Sequence, residues 1–414
     1  MNAETSVIKY QQPKDWIQYD IQSTGITADL TEAKAMVLSL KKVPYQKDWF
    51  DKMQVMELKR EVAGTSRIEG AVFTERELEA AMKETPAQLH TRSQREAYAA
   101  VQTYRWIESI PSDRPIDKEL ILEIHGRLIT GADDDICPPA KLRKRGENVT
   151  FGAPRHRGVE GGDECEGIFD KFIQAINGEY REHDPLVQSL AAHYHLAAMH
   201  PFLDGNGRTA RALSALMLQR AGLKGVCFIS LSNYYYDNKT EYLNSLNSTR
   251  QNNHNLTVFL KFGLQGITSQ SSRLLEEMQQ HVSKALFLNI MYELVNRLQS
   301  PRKAALAKRQ MKMLQFLLEV SPISIERLIE KAYYLYASLK KPSKALIRDL
   351  IGLRELGAVK FYKEGDINMA KVRLEWPTEI TESDLFSKMK KMPHLKSLSF
   401  LHPEISDGNE AISV

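Results

Sequence analysis

The chain has 414 residues, which is enough for two or three domains with cores of their own. Its 56 Lys and Arg against 52 Asp and Glu leave a net charge of +4, which does not by itself indicate a nucleic-acid partner. Hydrophobic residues make up 43% and charged residues 26%, as in ordinary globular proteins, and no apolar run is long enough to span a bilayer.

The cysteines and the N-terminus bear on the cellular compartment. Cys137, Cys165 and Cys227 lie far apart and form no C-x-x-C pair, which favours reduced thiols over disulfides or a zinc site. The first residues lack the basic-then-apolar form of a secretory signal. We therefore expect a cytoplasmic protein without membrane attachment, although a protein exported without a signal peptide would have the same features.

In the N-terminal region, residues 26–30 are expected to form a strand or loop that leads into a helix. The apolar spacing over Trp49–Ile68 predicts another helix, with Glu69 at its end and Gly70 in a position suited to its C-terminal cap. A glutamate opposes the dipole at a helix C-terminus unless a cation meets it. The simple interpretation of Glu69 is a solvent-facing end residue.

Residues 141–162 interrupt the helical pattern. Two short alternating pieces within Leu142–Pro154, around a glycine-containing turn, predict a β-hairpin. A basic cluster accompanies it, and we favour a solvated loop over recognition of an acidic partner or of phosphate, since charge runs usually face solvent. The cluster comprises Arg143, Lys144, Arg145, Arg155 and Arg157.

An apolar helix over Pro185–Met199 leads to His200 and ends at Pro201. His193, His195 and His200 suggest a metal site, but their spacing does not place them on one helical face. We therefore reject a zinc site and interpret His193 and His195 as packing groups or as groups that support the site residues.

The segment that follows, His200–Arg211, combines an imidazole, a carboxylate, two glycines, an amide and two guanidiniums. Gly205-Asn206-Gly207 can adopt positive φ and direct successive N–H groups at one anion, and a helix starting near Arg208 attracts phosphate. His200 then stands at one end of a polyphosphate site, placed to accept a proton from a hydroxyl. The alternative is a capped helix–loop–helix with surface arginines.

Residues 200–211 resemble the Fic family signature, His-x-Phe-x-(Asp/Glu)-Gly-Asn-Gly-Arg-x-x-Arg, at every fixed position. Thr65–Gly70 resembles the family's inhibitory motif, (Ser/Thr)-x-x-x-Glu-(Gly/Asn). The hairpin resembles the Fic flap, which holds the target by strand addition. A Tyr-Tyr pair of the family is reduced here to Tyr242 followed by Leu243, which leaves Tyr242 as the candidate adenosine contact.

The resemblance implies a protein adenylyltransferase that transfers AMP from ATP, with Mg²⁺, to a Ser, Thr or Tyr hydroxyl of a target protein. It implies that His200 is the base, that Asp204 holds the metal, and that Glu69 pairs with Arg211 to inhibit transfer. We also expect a homodimer, and removal of AMP from modified targets as a second activity. The implied nucleotide-binding residues are Asp204, Gly205, Asn206, Gly207, Arg208, Thr209, Ala210, Arg211, Phe151, Gly152, Ala153, Pro154 and Tyr242.

The predicted fold class is mainly α, with a Fic-type helical core, one hairpin flap and a C-terminal winged helix-turn-helix. Three helices and a hairpin around Glu364-Gly365-Asp366 indicate the winged unit, whose third helix carries or adjoins Lys341, Lys344 and Arg348. DNA contact and a protein–protein or dimerisation role are equally consistent with it. The predicted regions are 1–115 with the inhibitory helix, 116–268 as catalytic core, 269–300 as linker, 301–378 as winged unit and 379–414 as tail.

Two other functions remain open. One is a Fic enzyme that transfers a different phosphate-containing group. The other is a DNA-binding regulator that uses the Fic core as a nucleotide sensor.

Overall fold

The computed structural model describes residues 7–21, 25–83, 86–152, 154–223, 229–296, 301–355 and 357–374. The chain divides into two compact units, Met1–Met278 and Gln279–Val414. The predicted regions within these units stay predictions, and the predicted tail, 379–414, lies outside the described residues. No helix in the described ranges is long and apolar enough to cross a membrane.

The first unit is helical, as its apolar periodicities predict, and its core is built from buried aliphatic and aromatic side chains. Residues 26–30, expected as strand or loop, instead open the first helix, because Ile26, Ala33, Val37 and Leu40 form one buried stripe. Its helices are α1 Ile26–Lys42, α2 Lys47–Ile68, α3 Glu75–Lys83, α4 Arg92–Ser109, α5 Lys118–Ile129, α6 Asp163–Asn177, α7 Pro185–Met199, α8 Asn206–Leu218, α9 Leu231–Asp237 and α10 Lys239–Gln251. The next helix, α11 Thr257–Asn296, begins in the first unit and ends in the second.

The helix α2 packs closely on α9. A Cβ atom at Gly64 would collide with the backbone of Ser232 and Asn233, so the two helix backbones approach as nearly as glycine allows. Two buried carboxyls of α2 extend the contact, because Glu57 accepts a hydrogen bond from Ser230 Oγ and Glu61 accepts from the Ser232 N–H at 2.9 Å. The C-terminal end of α2 is therefore fixed to the core.

A small three-stranded sheet lies beside this helical core, in the order β1-β3-β2. The strands β2 Thr150–Phe151 and β3 His156–Arg157 are antiparallel, and β1 Ile8–Lys9 pairs with β3 in parallel. The predicted hairpin is present, but its second strand lies beyond the predicted stretch Leu142–Pro154, because the chain reverses after Phe151 and pairs at His156–Arg157.

The second unit has its own apolar core. It comprises α12 Pro301–Val320, α13 Ile325–Ala332 and α14 Pro342–Glu355, with β4 Ile323–Ser324, β5 Val359–Glu364 and β6 Ile367–Val372. The strands form one antiparallel sheet in the order β4-β6-β5, and β5 and β6 make the predicted hairpin around Gly365. Mainly helical architecture is thus confirmed, while the winged-helix interpretation of this unit stays a prediction.

Candidate active site

His200 is the residue that ends α7, and its backbone is left-handed with φ 53° and ψ 59°. Its N–H still bonds to the Leu196 carbonyl at 3.2 Å, while the ring turns back so that Nδ1 lies 3.1 Å from the Ala197 carbonyl oxygen. Because a carbonyl can only accept, Nδ1 carries the proton. Nε2 is therefore left as the proton acceptor.

The surroundings of His200 favour its neutral form. Burial, aided by the charges of Arg250 and Arg143, lowers the pKa of His200 to about 3, against the opposing effects of the Ala197 carbonyl and Glu69. The Phe151 ring stacks on the imidazole with centroids 3.9 Å apart and planes 13° from parallel. A neutral imidazole at physiological pH can act as a general base.

The loop after His200 is held by one side chain, that of Asn206. Its Oδ1 accepts from the Phe202 N–H and its Nδ2 donates to the Phe202 carbonyl, both at 2.9 Å. The Asn206 amide, one of the residues that the family resemblance implies for nucleotide binding, thus closes the loop. His125 supports it from below, since its ring stacks on Phe202 at 3.8 Å and its Nε2 lies 3.2 Å from the Asp204 carbonyl.

The helix α8 begins at Asn206, two residues before the predicted start. Of the three residues expected at positive φ, Gly205 alone has it, at 71°, while Asn206 and Gly207 are already helical. Thr209 and Ala210 were predicted nucleotide contacts, but both side chains are buried, and Thr209 N–H and Oγ both bond to the Gly205 carbonyl. The anion-binding feature is therefore the helix N-terminus itself.

Arg208 and Arg211 follow on α8, and both guanidiniums are buried. Arg208 Nη1 lies 2.6 Å from Asp133 Oδ2, and its Nη2 lies 3.3 Å from Asp204 Oδ2. Arg211 is bound by α2: Nε donates to Thr65 Oγ1 at 2.8 Å and Nη2 to Glu69 Oε1 at 2.6 Å. Both arginines are thus positioned by oxygen atoms before any ligand binds.

Glu69 reaches the N-terminus of α8 from the C-terminal cap of α2, where Gly70 has φ 93° as the cap requires. Although burial opposes ionisation, the charge and hydrogen bond of Arg211 hold the pKa of Glu69 below its usual value. A Cβ atom at Gly207 would collide with Glu69 Oε1. The carboxylate therefore occupies the position over the N-terminus of α8 that suits a phosphate.

Asp204 is the predicted metal ligand, and 41% of its side chain is exposed. In the part of the chain that the structure describes, no group of three or more His, Cys, Asp or Glu is arranged to hold a metal ion. Asp133, a buried acid nearby, is already bound by Arg92 and Arg208 at 2.6 Å each. A metal ion at Asp204 would accordingly need ligands from a bound phosphate.

The flap contributes Phe151, which lies between His200 and Arg250, whose Cζ is 4.5 Å from the ring centroid. Gly152 and Pro154 follow in the exposed turn, and Ala153 lies outside the described residues. Arg143 was predicted to be solvated, but it is buried and donates to the carbonyls of His200, Glu147 and Val159. It therefore fixes the flap segment to the His200 loop.

Tyr242 is buried behind Arg211. Its hydroxyl lies 2.9 Å from His193 Nε2, and its ring stacks on Tyr235 at 4.6 Å. His195 Nε2 lies 2.6 Å from the Trp16 carbonyl. His193 and His195 are thus buried and bonded to neighbouring groups, which agrees with their interpretation as packing or supporting groups.

Four residues around the site were not singled out for it from the sequence: Thr65 as an Arg211 ligand, Asp133 as the partner of Arg208, Arg143 as the flap anchor, and Arg250. Asp133 lies in the run Asp133-Asp134-Asp135, and the sequence does not show which of these three aspartates is buried. Arg250 and Arg143 are basic residues whose positions depend on contacts distant in sequence.

Comparison with known proteins agrees with this geometry. Residues 115–218 match the model of the Fic/DOC family. The chain contains a Fic/DOC domain. It is 34% identical over 111 residues to protein adenylyltransferase fic-1 of Caenorhabditis briggsae, and 33% identical over 103 residues to protein adenylyltransferase Fic of Drosophila willistoni.

These matches cover about a quarter of this chain, 26% and 25%, and about a fifth of the relatives' own length, 20% and 19%. Among solved structures, a Fic family protein from Desulfovibrio desulfuricans G20 superposes with a TM-score of 0.55 at 16% identity, over 88% of this chain and 98% of its own. Residues 134–508 of Fic-1 from C. elegans superpose with a TM-score of 0.50 at 20% identity, over 60% and 71%. These similarities show the fold.

Proposed function

We propose that the protein is an adenylyltransferase that moves AMP from ATP to a Ser, Thr or Tyr hydroxyl of a target protein. The observation that carries the proposal is the neutral imidazole of His200, with Nε2 left as acceptor, in the same loop as a helix N-terminus that bears Arg208 and Arg211. The Fic/DOC domain and the adenylyltransferase names of its relatives support the same chemistry.

In the proposed reaction, His200 Nε2 accepts the proton of the target hydroxyl as its oxygen bonds to the α-phosphorus. The bond from that phosphorus to the bridging oxygen breaks, and pyrophosphate leaves. The first N–H groups of α8 and the two guanidiniums stabilise negative charge on the phosphates. Asn206 keeps these donors in place by closing the loop.

The residues fit a Mg²⁺ ion that arrives with ATP. Asp204 is half exposed, and one carboxylate together with phosphate oxygens is a usual set of ligands for this ion. When bound, the ion would neutralise phosphate charge.

We further propose that Glu69 inhibits transfer by holding Arg211 and occupying the space above Gly207. ATP can then bind with its terminal phosphates displaced from the N-terminus of α8. The same carboxylate could orient a water molecule for removal of AMP from a modified target. Incubation of AMPylated protein with the parent and with Glu69→Gly tests this second activity. The parent should remove AMP from the modified protein, and Glu69→Gly should not.

The full chain with Glu69→Gly and α-labelled ATP tests the main proposal. We expect self-labelling to rise about 10- to 100-fold over the parent, the range typical of such coupling between sites. Adding His200→Ala to this variant should reduce self-labelling by about 10²-fold or more, while ATP still binds. Unchanged labelling in Glu69→Gly would contradict inhibition by Glu69, and mass spectrometry separates AMP from another transferred group.

A second candidate function, DNA binding, rests on the charge of the second unit. Residues 308–374 contain 14 Lys and Arg but only 7 Asp and Glu, so this segment is much more basic than the whole chain. Lys341, Lys344 and Arg348 form an exposed stripe at the start and along one face of α14. Such a stripe suits duplex phosphates. Salt-dependent binding of duplex DNA that is lost with all three changed to Gln would support it, and no binding at low salt would remove it.

A further inference from the structure

Arg250, in the last turn of α10, is a partly buried arginine with an unusual environment. Its Cζ lies 4.5 Å from the Phe151 ring centroid, and its Nε is buried with no hydrogen-bond partner. Within the described part of the chain, Arg250 makes no side-chain hydrogen bond and no ion pair. Partial burial lowers the pKa of Arg250.

The other three guanidiniums near His200 are all engaged. Arg143 donates to carbonyl oxygens, Arg208 faces Asp133 and Asp204, and Arg211 is held by Thr65 and Glu69. Arg250 differs from these three, because its partly exposed guanidinium forms no ion pair with the residues that the structure describes. It is therefore the guanidinium beside His200 that is free to bind an anion.

The position of Arg250 relates that anion to His200. Arg250 stacks on the face of Phe151, whose ring also stacks on the imidazole, and it has the largest charge effect among those that lower the pKa of His200. Arg250 is thus linked to the proposed base through the ring of Phe151.

The cavity beside Arg250 has the same character. It is bounded by β1, β3 and the ends of α7 and α10. Its described lining includes Lys9, Arg157 and Arg250; Arg157 is paired with Glu160, and the buried hydroxyl of Tyr10 has no partner. These groups favour a negatively charged ligand over a cation or an apolar molecule.

We propose that Arg250 binds a non-bridging oxygen of the nucleotide α-phosphate. The inference rests on the proposed function, because a base that activates the attacking hydroxyl must lie beside the phosphorus that is attacked. Arg250 then approaches this phosphate from the flap side, and the N-terminus of α8 approaches it from the other. The positive charge of Arg250 neutralises the negative charge of the α-phosphate, which is transferred as part of AMP.

The alternative is that Arg250 only supports Phe151 by stacking. Binding and stability separate the two roles. In the full-length Glu69→Gly background, Arg250→Met should weaken the binding of AMP and of ATP about 10- to 100-fold, which is the value of a hydrogen bond to a charged group. The affinity for adenosine should not change. Because the guanidinium is unpaired, Tm should stay the same or rise. Arg250→Lys should restore part of the affinity for AMP.

Arg145→Met is the matched control, because it removes an exposed positive charge from the same flap segment. It should alter neither the ratio of AMP to adenosine affinity nor Tm. Equal losses of AMP and adenosine, unchanged AMP binding, or a marked fall in Tm for Arg250→Met would each overturn the proposal. The binding measurements need no turnover, so failure of Glu69→Gly to transfer AMP would contradict the proposed function without deciding the role of Arg250.

Discussion

Gly207 and Glu69 share one small space: a side-chain carbon on the glycine would collide with Oε1 of the glutamate. It would also lie 3.2 Å from Arg211 Nη1. The glycine is therefore required by whatever group sits above the N-terminus of α8, whether the carboxylate of the resting protein or the phosphate that we propose replaces it.

From this relationship we expect Gly207→Ala to weaken ATP binding about 5- to 100-fold even when Glu69 is changed to Gly, the usual cost of overpacking. Calorimetric titration of the double variant measures it. Gly167→Ala is the control, because no atom lies within 4 Å of its added carbon and alanine favours the helix α6. Full ATP affinity in the Gly207→Ala double variant would show that no phosphate occupies this space.

Thr65 is the second contact between α2 and Arg211, and it holds Nε at 2.8 Å. Thr65→Val keeps the shape but removes this hydrogen bond, worth about 1.5–3 kcal/mol for a charged donor, so Arg211 should leave Glu69 more readily. We expect self-labelling to rise, by less than in Glu69→Gly. Thr65→Ser, which keeps the hydroxyl, should behave as the parent. A fall in labelling would mean that Thr65 holds Arg211 in its productive position.

The ionisation of His200 gives a prediction about pH. Its pKa in the folded protein, about 3, lies below the ordinary value near 6.5, so the neutral ring stabilises the fold above pH 6.5. That contribution is lost as pH falls from 6.5 toward 3. The imidazole resonances of His200, assigned with His200→Gln, should therefore show no titration between pH 8 and pH 5. A midpoint near 6.5 would contradict the buried, neutral base.

Arg143 should matter for stability. Its guanidinium satisfies the carbonyls of His200 and Glu147, at 2.8 and 2.6 Å, and that of Val159. Arg143→Met leaves these acceptors unpaired, at about 1–3 kcal/mol for each that stays buried. Chemical denaturation should show a lower free energy of unfolding by about that amount or more, while exposed Arg145→Met should change it by about 0.5 kcal/mol or less. Equal stability of the two variants would contradict an anchoring role.

The sequence predicts the parts of this molecule that depend on local pattern. The helix that ends at Glu69 has a regular apolar spacing and a glycine at its cap, and both appear in the structure as Lys47–Ile68 and a positive φ at Gly70. Glu69 and Arg211 lie 142 residues apart, so no local spacing predicts that they pair. The resemblance to the family predicted this pair.

Contacts between distant segments account for what was missed. Ile8–Lys9 pairs with a strand near residue 156, and no periodicity indicates that partner. Arg143 belongs to a basic run that was expected to be solvated, yet its side chain finds three carbonyls in the folded chain. The second strand of the flap, His156–Arg157, likewise lies outside the predicted stretch, because its pairing with β1 depends on a segment distant in sequence.

The close approach of α2 to α9 at Gly64 limits how the proposed inhibition can be relieved. An inhibitory segment that merely rested on a surface could detach as a whole, but this one shares its backbone packing and its buried acids with the interior. Withdrawal of the entire helix would amount to partial unfolding. An activating event must therefore act on the last turn alone, by rotating one side chain or loosening the bend at Gly70, and a ligand or partner that contacts only those few atoms would suffice.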